Sequence, residues 1–295
     1  MKKISNYYYL DKRKNRDIIL LIIGKGVHRM TFKIDHDMHC HSILSKCSQD
    51  PGQTVSAILA NAKKRGINLQ CITDHVWDRD VPGASGWYAS QDIDHICRNL
   101  PLPEDDQVRM VFGCETEFCG GKKLGLAPRH FDLFDFIIIP PNHFHMIDFV
   151  RPSSFDNEEK LADLLVERLE EIALLDLPWH KIGIAHMNGF ILPGGDTDLL
   201  IRSVDEKRFR AVMNKFARLG AGIELNMGAD CFPAGWQKRA DDKLRLYRIA
   251  KEEGCKFYLG SDGHHPNDFD EITDVAPDVI AALGLTENDR FRINI

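Results

Sequence analysis

No hydrophobic run in this sequence is long enough to cross a bilayer. The most apolar stretch near the start, IILLIIG, is far shorter than a spanning helix needs. It is also short for the apolar part of a secretory signal, and no small-residue cleavage site follows it. A reducing, cytoplasmic setting is therefore expected. No C-x-x-C pair occurs among the eight cysteines, which excludes a zinc ribbon or a thioredoxin-like motif. Cys71 in LQCIT and Cys114 in VFGCE lie inside strand-like apolar runs, where a reduced thiol behaves as a small hydrophobe. Basic residues are not in excess either. The 38 Lys and Arg against 44 Asp and Glu leave a net charge of -6, which argues against wrapping nucleic acid. That balance does not exclude a phosphorylated substrate, because bound cations reverse the sign locally. Repeats, low-complexity tracts and linkers are also lacking, so residues 31–295 are expected to form one domain. Residues 1–30, with the basic stretch DKRKNR, read as an upstream extension or a loosely packed arm, with a partner-binding arm as the alternative.

What is present is a regular alternation. Short apolar runs occur at FKID, LQCIT, VRMVFGCE, FDFIIIP, IGIAH, AGIELN and KFYLGSD. Helix-like stretches separate them, near Thr54–Arg65, Asp92–Asn99, Asn157–Leu175, Val204–Leu219 and Asp241–Glu253. Gly66 and Gly220 stand where helix C-terminal glycines belong. Strands alternating with helices imply parallel pairing with right-handed crossovers. The architecture is α/β, either a closed barrel or an open sheet with helices on both faces.

The residues that close each run choose between them. In order they are Asp37, His39 and His41; Asp74 and His75; Glu115; His143 and His145; His186; Glu224 and Asn226; Asp262 and His264. A parallel barrel gathers such groups from every strand at its C-terminal end. An open sheet gathers them mainly at one switch point. Reactive groups on all seven runs favour the barrel. Residues two apart on an extended strand share a face, so Asp37, His39 and His41 are expected to point together, as are His143 with His145 and Asp262 with His264. Imidazole and carboxylate together suit zinc, manganese or iron. Two cations that share a carboxylate can clamp an oxyanion between them. Any one strand-end histidine is more often a hydrogen-bonded core or rim residue than a ligand; the whole constellation carries the signal.

The motifs DMHCHS, ITDH, GCETE, PNHFH, IAH and GSDGH, in this order and spacing, resemble the polymerase and histidinol phosphatase family. The resemblance extends from about Lys33 to the C-terminus. It implies a distorted, TIM-like barrel of seven strands holding two or three divalent cations, and hydrolysis of phosphate esters. By motif position it implies His39, His41, Glu115 and Asp262 at a first ion. Glu115 would bridge to a second ion completed by His143 and His186. His75 and His264 would serve a third ion, together with the residue six positions after His41. Histidinol phosphatase-like members carry histidine there, whereas this chain has Cys47. A thiolate binds zinc well, so Cys47 is either a ligand or the mark of a slipped loop and a weak third site.

The expected chemistry is attack of a metal-activated water on a small phosphomonoester, with histidinol phosphate as one candidate. Asp262 and His264 are candidates for the proton transfers, and Arg151 for binding the phosphoryl oxygens. Arg79, Arg129 and Arg239 are weaker candidates for that role. Asp37 and Asp74 are read as carboxylates that orient ligating imidazoles, or as simple caps. Glu224 and Asn226 are read as contacts to substrate or to the ligand sphere. Trp77, Trp87, Tyr88 and Trp236 fall in loops where aromatic rings either stack on substrate or cover the barrel mouth. Competing readings are a phosphodiesterase or nuclease, an amidohydrolase-like C–N hydrolase, and a non-catalytic metal-binding module. Amidohydrolases often bridge their metals with a modified lysine, a role that falls to Glu115 here.

Overall fold

The computed structural model describes residues 31–189 and 195–294, and the expectation made for residues 1–30 lies outside them. The strands are β1 (His36–Asp37), β2 (Leu69–Ile72), β3 (His75–Val76), β4 (Arg109–Thr116), β5 (Phe136–Ile139), β6 (Ile182–Ile184), β7 (Gly222–Asn226) and β8 (Lys256–Gly260). All pairings are parallel and follow chain order. β2 and β3 pair with β4 in one continuous register, Ile72 opposite Phe112 and His75 opposite Glu115, so they form a single stave. The last stave returns to the first. Met38 N–H donates to Leu259 O at 2.8 Å, Asp262 N–H to His39 O at 2.8 Å and His41 N–H to Gly263 O at 3.0 Å. The result is a distorted barrel of seven staves, with helices packed on its outer face.

Local chemistry sets the helix boundaries. Thr54 caps Val55–Arg65 by accepting from Ala57 N–H, and Gly66 ends it in the left-handed conformation at φ 71°. Asn157 and Asp205 cap Glu158–Ile172 and Glu206–Leu219 in the same way. The segment expected at Asp241–Glu253 breaks into Ala240–Lys243 and Arg245–Glu252. Helices Asp270–Asp274 and Ala276–Leu283, not anticipated from the sequence, follow β8. The first strand also differs from expectation. FKID lies ahead of the ladder because Lys33 N–H is taken by the Glu287 carboxylate and Asp35 O by Asn68 N–H, so pairing begins at His36.

Alternation along each stave divides the core in two. On β4, Phe112 and Cys114 join the large outer cluster beneath the helices. Val111 faces the interior, in a small cluster with Met38, Cys71, Phe136, Ile138, Ala185, Tyr258 and Phe291 that plugs the barrel. Burial of such side chains contributes about 1.5–3 kcal/mol each. Glu115, two pairs further along from Val111, is therefore delivered to the interior just above an apolar floor.

Candidate metal centre

Glu115 is fully buried at the end of β4, and imidazoles surround both of its oxygens. Oε2 lies 3.4 Å from His39 Nε2, 3.3 Å from His41 Nε2 and 3.1 Å from His75 Nδ1. Oε1 lies 3.7 Å from His143 Nε2 and 3.6 Å from His186 Nε2. Asp262 closes the group, with Oδ1 3.4 Å from His39 Nε2 and 3.2 Å from His41 Nε2, and Oδ2 3.2 Å from His186 Nε2. His264 Nε2 is 3.7 Å from Asp262 Oδ1. Side chains from five segments outside β4 thus gather around one carboxylate.

The far side of the rings fixes which nitrogen faces the centre. His39 Nδ1 donates to Glu224 Oε1 at 2.7 Å, and His143 Nδ1 donates to Glu117 Oε1. Ser45 Oγ donates to Asp74 Oδ1 at 2.7 Å, so its oxygen accepts from His75 N–H at 3.0 Å and from His41 Nδ1–H at 3.1 Å. With Nδ1 committed to a donor role, Nε2 is the nitrogen of His39, His41 and His143 that faces the centre, and it offers a lone pair to a cation once its proton is displaced. His39 Nε2 and His41 Nε2 are only 3.1 Å apart. Two lone pairs at that distance repel unless a proton or a cation lies between them. Both Glu115 oxygens are also buried without a hydrogen-bond donor. A buried carboxylate without donors is costly, and shared cations remove that cost. The donor set fits divalent metal.

Electrostatics say the same. Burial opposes charge on His39, but Asp262, Glu224 and Glu115 outweigh it and push its pKa well above the usual histidine range. Burial likewise opposes charge on His41 and His143, yet Asp262 and Glu115 in one case and Glu117 in the other push both up to about 9. Burial works to raise Glu115 and Asp262, but the surrounding imidazoles hold both well below the carboxylate range. His264 and His145 are pushed down to about 4, mainly by burial. Cation-free, the cluster holds excess protons that a metal would displace.

The backbone is bent to serve this arrangement. His186 and Asp262 both have φ 53°, a left-handed conformation that costs non-glycine residues roughly 1–3 kcal/mol. The extended alternation expected for Asp262 and His264 therefore does not hold. The two side chains still meet through this bend, His264 Nε2 lying 3.7 Å from Asp262 Oδ1 with its side chain 34% exposed at the cavity wall. At Gly260 an added Cβ would lie 2.1 Å from Glu224 Oε1, so only glycine lets Glu224 reach His39.

The cluster opens into a cavity of about 490 Å³, whose lining includes His75, Glu115, His143, His186, Asp262 and His264. Cys47, Trp87, Tyr88, His145 and Asn226 line it too, with Asp230, Asp268 and Glu271. Arginine and lysine are missing from the described lining. Arg151, expected at a phosphate, instead donates to Phe155 O at 3.0 Å, because the turn joining Ile147 to Arg151 directs it along its own loop. Arg79, Arg129 and Arg239 are held by Asp92 and Asp94, by Asp80 and by Asp198. Asp37 does not touch an imidazole ring. It accepts from Ser261 N–H, Ser261 Oγ and His39 N–H, which makes it the clasp between first and last staves. Asp74 reaches His41 only through Ser45. Glu224 and Asn226 belong to the ligand sphere, Asn226 Nδ2 donating to Asp262 Oδ2 at 3.1 Å. Trp77 and Trp236 are buried outside the cavity lining.

Sequence reasoning missed Glu117 and Ser45. Glu117 was detectable, since it stands two positions after Glu115 in GCETE. Ser45 lies in a loop whose path no periodicity reveals.

A barrel of this kind, with imidazoles and acids gathered at the C-terminal end of its strands, is a framework for metal-dependent hydrolysis. Solved structures that share the fold include two of similar length. One is the histidinol phosphate phosphatase of Lactococcus lactis subsp. lactis Il1403, complexed with zinc, L-histidinol and phosphate. It aligns with TM-score 0.53 and 16% identity over 88% of this chain and 98% of that one. The other is a putative histidinol phosphatase from Listeria monocytogenes, with TM-score 0.55 and 14% identity over 79% of this chain and 97% of that one. The sequence matches no family model and no curated relative. At these identities the likeness is one of fold, and it agrees with the family resemblance carried by the motifs.

Proposed function

We propose that this chain is a metal-dependent phosphoesterase acting on a small phosphomonoester. The observation that carries the reading is Glu115, a buried carboxylate without hydrogen-bond donors, ringed by five imidazoles at the floor of an open cavity. His39, His41, Glu115 and Asp262 would hold one ion, and Glu115, His143 and His186 a second; each trio His39–His41–Glu115 and Glu115–His143–His186 has its donor atoms within 4.8 Å of one another. When bound, divalent cations supply Lewis-acid activation of water and neutralise charge on phosphoryl oxygens.

The chain's own contribution is positioning and proton handling. Glu224, Glu117 and the Ser45–Asp74 pair fix the rings of His39, His143 and His41 so that their Nε2 atoms point inward. Asp262, held ionised by the neighbouring imidazoles, lines the cavity as a proton acceptor, its Oδ2 steadied by Asn226. His264, neutral at pH 7, presents a lone pair rather than an acidic proton, so its role is that of a ligand. Tyr88 and Trp87 wall the cavity and limit water around a bound substrate.

A small substrate is favoured over nucleic acid because Asp230, Asp268 and Glu271 line the cavity and would repel a polyanion. The L-histidinol and phosphate in the Lactococcus lactis structure make histidinol phosphate the first compound to assay. One observation favours a second reading: the described lining has no arginine or lysine, which leaves room for an uncharged substrate and C–N bond hydrolysis. An aryl phosphate, an aryl phosphodiester and an anilide assayed side by side with zinc and manganese decide among these. Turnover of the anilide without the phosphate would overturn the phosphoesterase reading. Among the described residues no helix is long and apolar enough to cross a membrane.

A further inference from the structure

Beside the two-ion cluster lies a third group of donors. One donor atom each from His41, Cys47, His75 and His264 lies within 4.8 Å of all the others. The His41 ring stacks between His75 and His264, with centroids 4.5 Å away on each side and interplanar angles of 26° and 12°. His41 also belongs to the His39–His41–Glu115 group, whereas Cys47, His75 and His264 belong to no other such group among the described residues, which leaves these three for another ion.

Cys47 is held there from both sides. Lys46 N–H donates to Gln91 Oε1 at 2.8 Å, and Ser48 N–H to Ser45 O at 2.9 Å. Ser48 Oγ donates to His264 O at 2.7 Å, which ties the cysteine loop directly to the histidine across the site. Ser42 and Ser45 are clamped on Asp74. A loop fixed at four neighbouring residues has not slipped. Cys47 lines the cavity, where a cation can reach it.

We infer that this third position is a sulfur site, in which Cys47, with His75 and His264, holds a thiophilic divalent cation such as zinc in preference to manganese. Tetrahedral zinc with bonds of about 2.0–2.3 Å needs donors roughly 3.3–3.7 Å apart, within easy reach of the observed spread. Thiolate and imidazole select zinc, whereas manganese favours oxygen donors. Binding replaces the S–H bond with a sulfur–metal bond, and the proton leaves to solvent. The consequence is a centre with two kinds of position. The carboxylate-rich pair tolerates manganese or iron, and the sulfur position retains zinc.

This inference rests on the metal-centre reading above, and its test separates the two. The intact protein is loaded with cobalt(II) and scanned for sulfur-to-cobalt charge-transfer absorption in the near ultraviolet. Metal content is then counted after exchange against excess manganese, in wild type, C47S and C47H. A sulfur band in wild type, absent from both variants, is expected. One zinc per chain should resist exchange in wild type. C47S should lose that ion's retention by more than the roughly 10–100-fold that removal of a partner behind a ligand costs. C47H should keep three ions without the band and exchange the third more readily. Cobalt-loaded wild type that hydrolyses phosphoesters yet shows no sulfur band overturns the sulfur site and leaves the phosphoesterase reading standing. Unchanged zinc retention in C47S also overturns it. A sulfur band on protein inert toward every phosphoester supports the site while defeating the phosphoesterase reading.

Discussion

Glu117 offers the sharpest test of how the centre is built. Its Oε1 accepts from both His143 Nδ1 and Tyr88 OH, the latter at 2.6 Å, and the residue is fully buried. Glu117→Gln keeps the shape and removes the charge. It also places an amide donor where Oε2 now has no hydrogen-bond partner. Two effects follow. The His143 ring becomes a weaker donor, because the carboxylate behind it is what chiefly raises its basicity against burial. Its orientation also loosens. Loss of such a partner typically costs roughly 10–100-fold in metal affinity, or about 1.4–2.7 kcal/mol. The loss should fall on the ion shared by His143, His186 and Glu115. Titration against a competing chelator reads it directly, and Tyr88→Phe should show a smaller loss of about 1 kcal/mol from one missing hydrogen bond. Because Glu117 touches no reacting atom, kcat at saturating metal should recover much of the deficit. Unchanged affinity in Glu117→Gln would refute the idea that this carboxylate organises the site. So would a kcat loss that excess metal cannot relieve.

The other expectations are more direct. Glu115→Ala and His39→Ala should each abolish metal loading and hydrolysis together, read by elemental analysis and aryl phosphate turnover; retained turnover contradicts the assignment. In cation-free protein His41 and His143 titrate near 9, so both carry protons at pH 7 and metal must displace them. Calorimetry in buffers of different ionisation enthalpy should find net proton release on zinc binding at pH 7, and affinity should fall as pH falls; binding without proton release refutes this. The raised values also mean that these imidazoles stabilise the cation-free fold. That stabilisation is fully present below the unfolded value near 6.5 and is lost as pH rises through about 9. Thermal melts of chelator-treated protein should therefore show a lower Tm at pH 10 than at pH 7 that added zinc restores. Arg151→Ala should leave KM for any phosphomonoester within about twofold, since Arg151 is bonded to Phe155 O and lies off the cavity. A KM increase of tenfold or more would place it back at the substrate.

Much of this centre was legible in one dimension. H-x-H at the end of the first run and an acid or imidazole at the end of every other made convergence at one barrel end the economical reading. Each of His39, His41, His75, Glu115, His143, His186, Asp262 and His264 is found there. Simple alternation held on β7, where Glu224 reaches His39 and Asn226 reaches Asp262 from one face of a continuous strand. It failed at Asp262, where positive φ rotates the side chain off the strand's face. Arg151 failed for a related reason. A loop position tells how far a long side chain is from the site along the chain, not which carbonyl will claim it first.

The alternation of strand and helix, the polar groups at the strand ends and the fit of their chemistry to divalent cations can all be read from the chain one residue after another. Those properties follow from periodicity and side-chain type, which are local. Which acid stands behind which imidazole is set by folding in three dimensions. Glu224 rather than Asp37 holds His39, Asp37 clasps the closing staves, and Asp74 acts through Ser45. Such pairings depend on barrel stagger and on a glycine that leaves room at Gly260, quantities set by staves distant in sequence. The same holds for Cys47, which became part of a donor cluster only because its loop is fastened to His264 from across the barrel mouth.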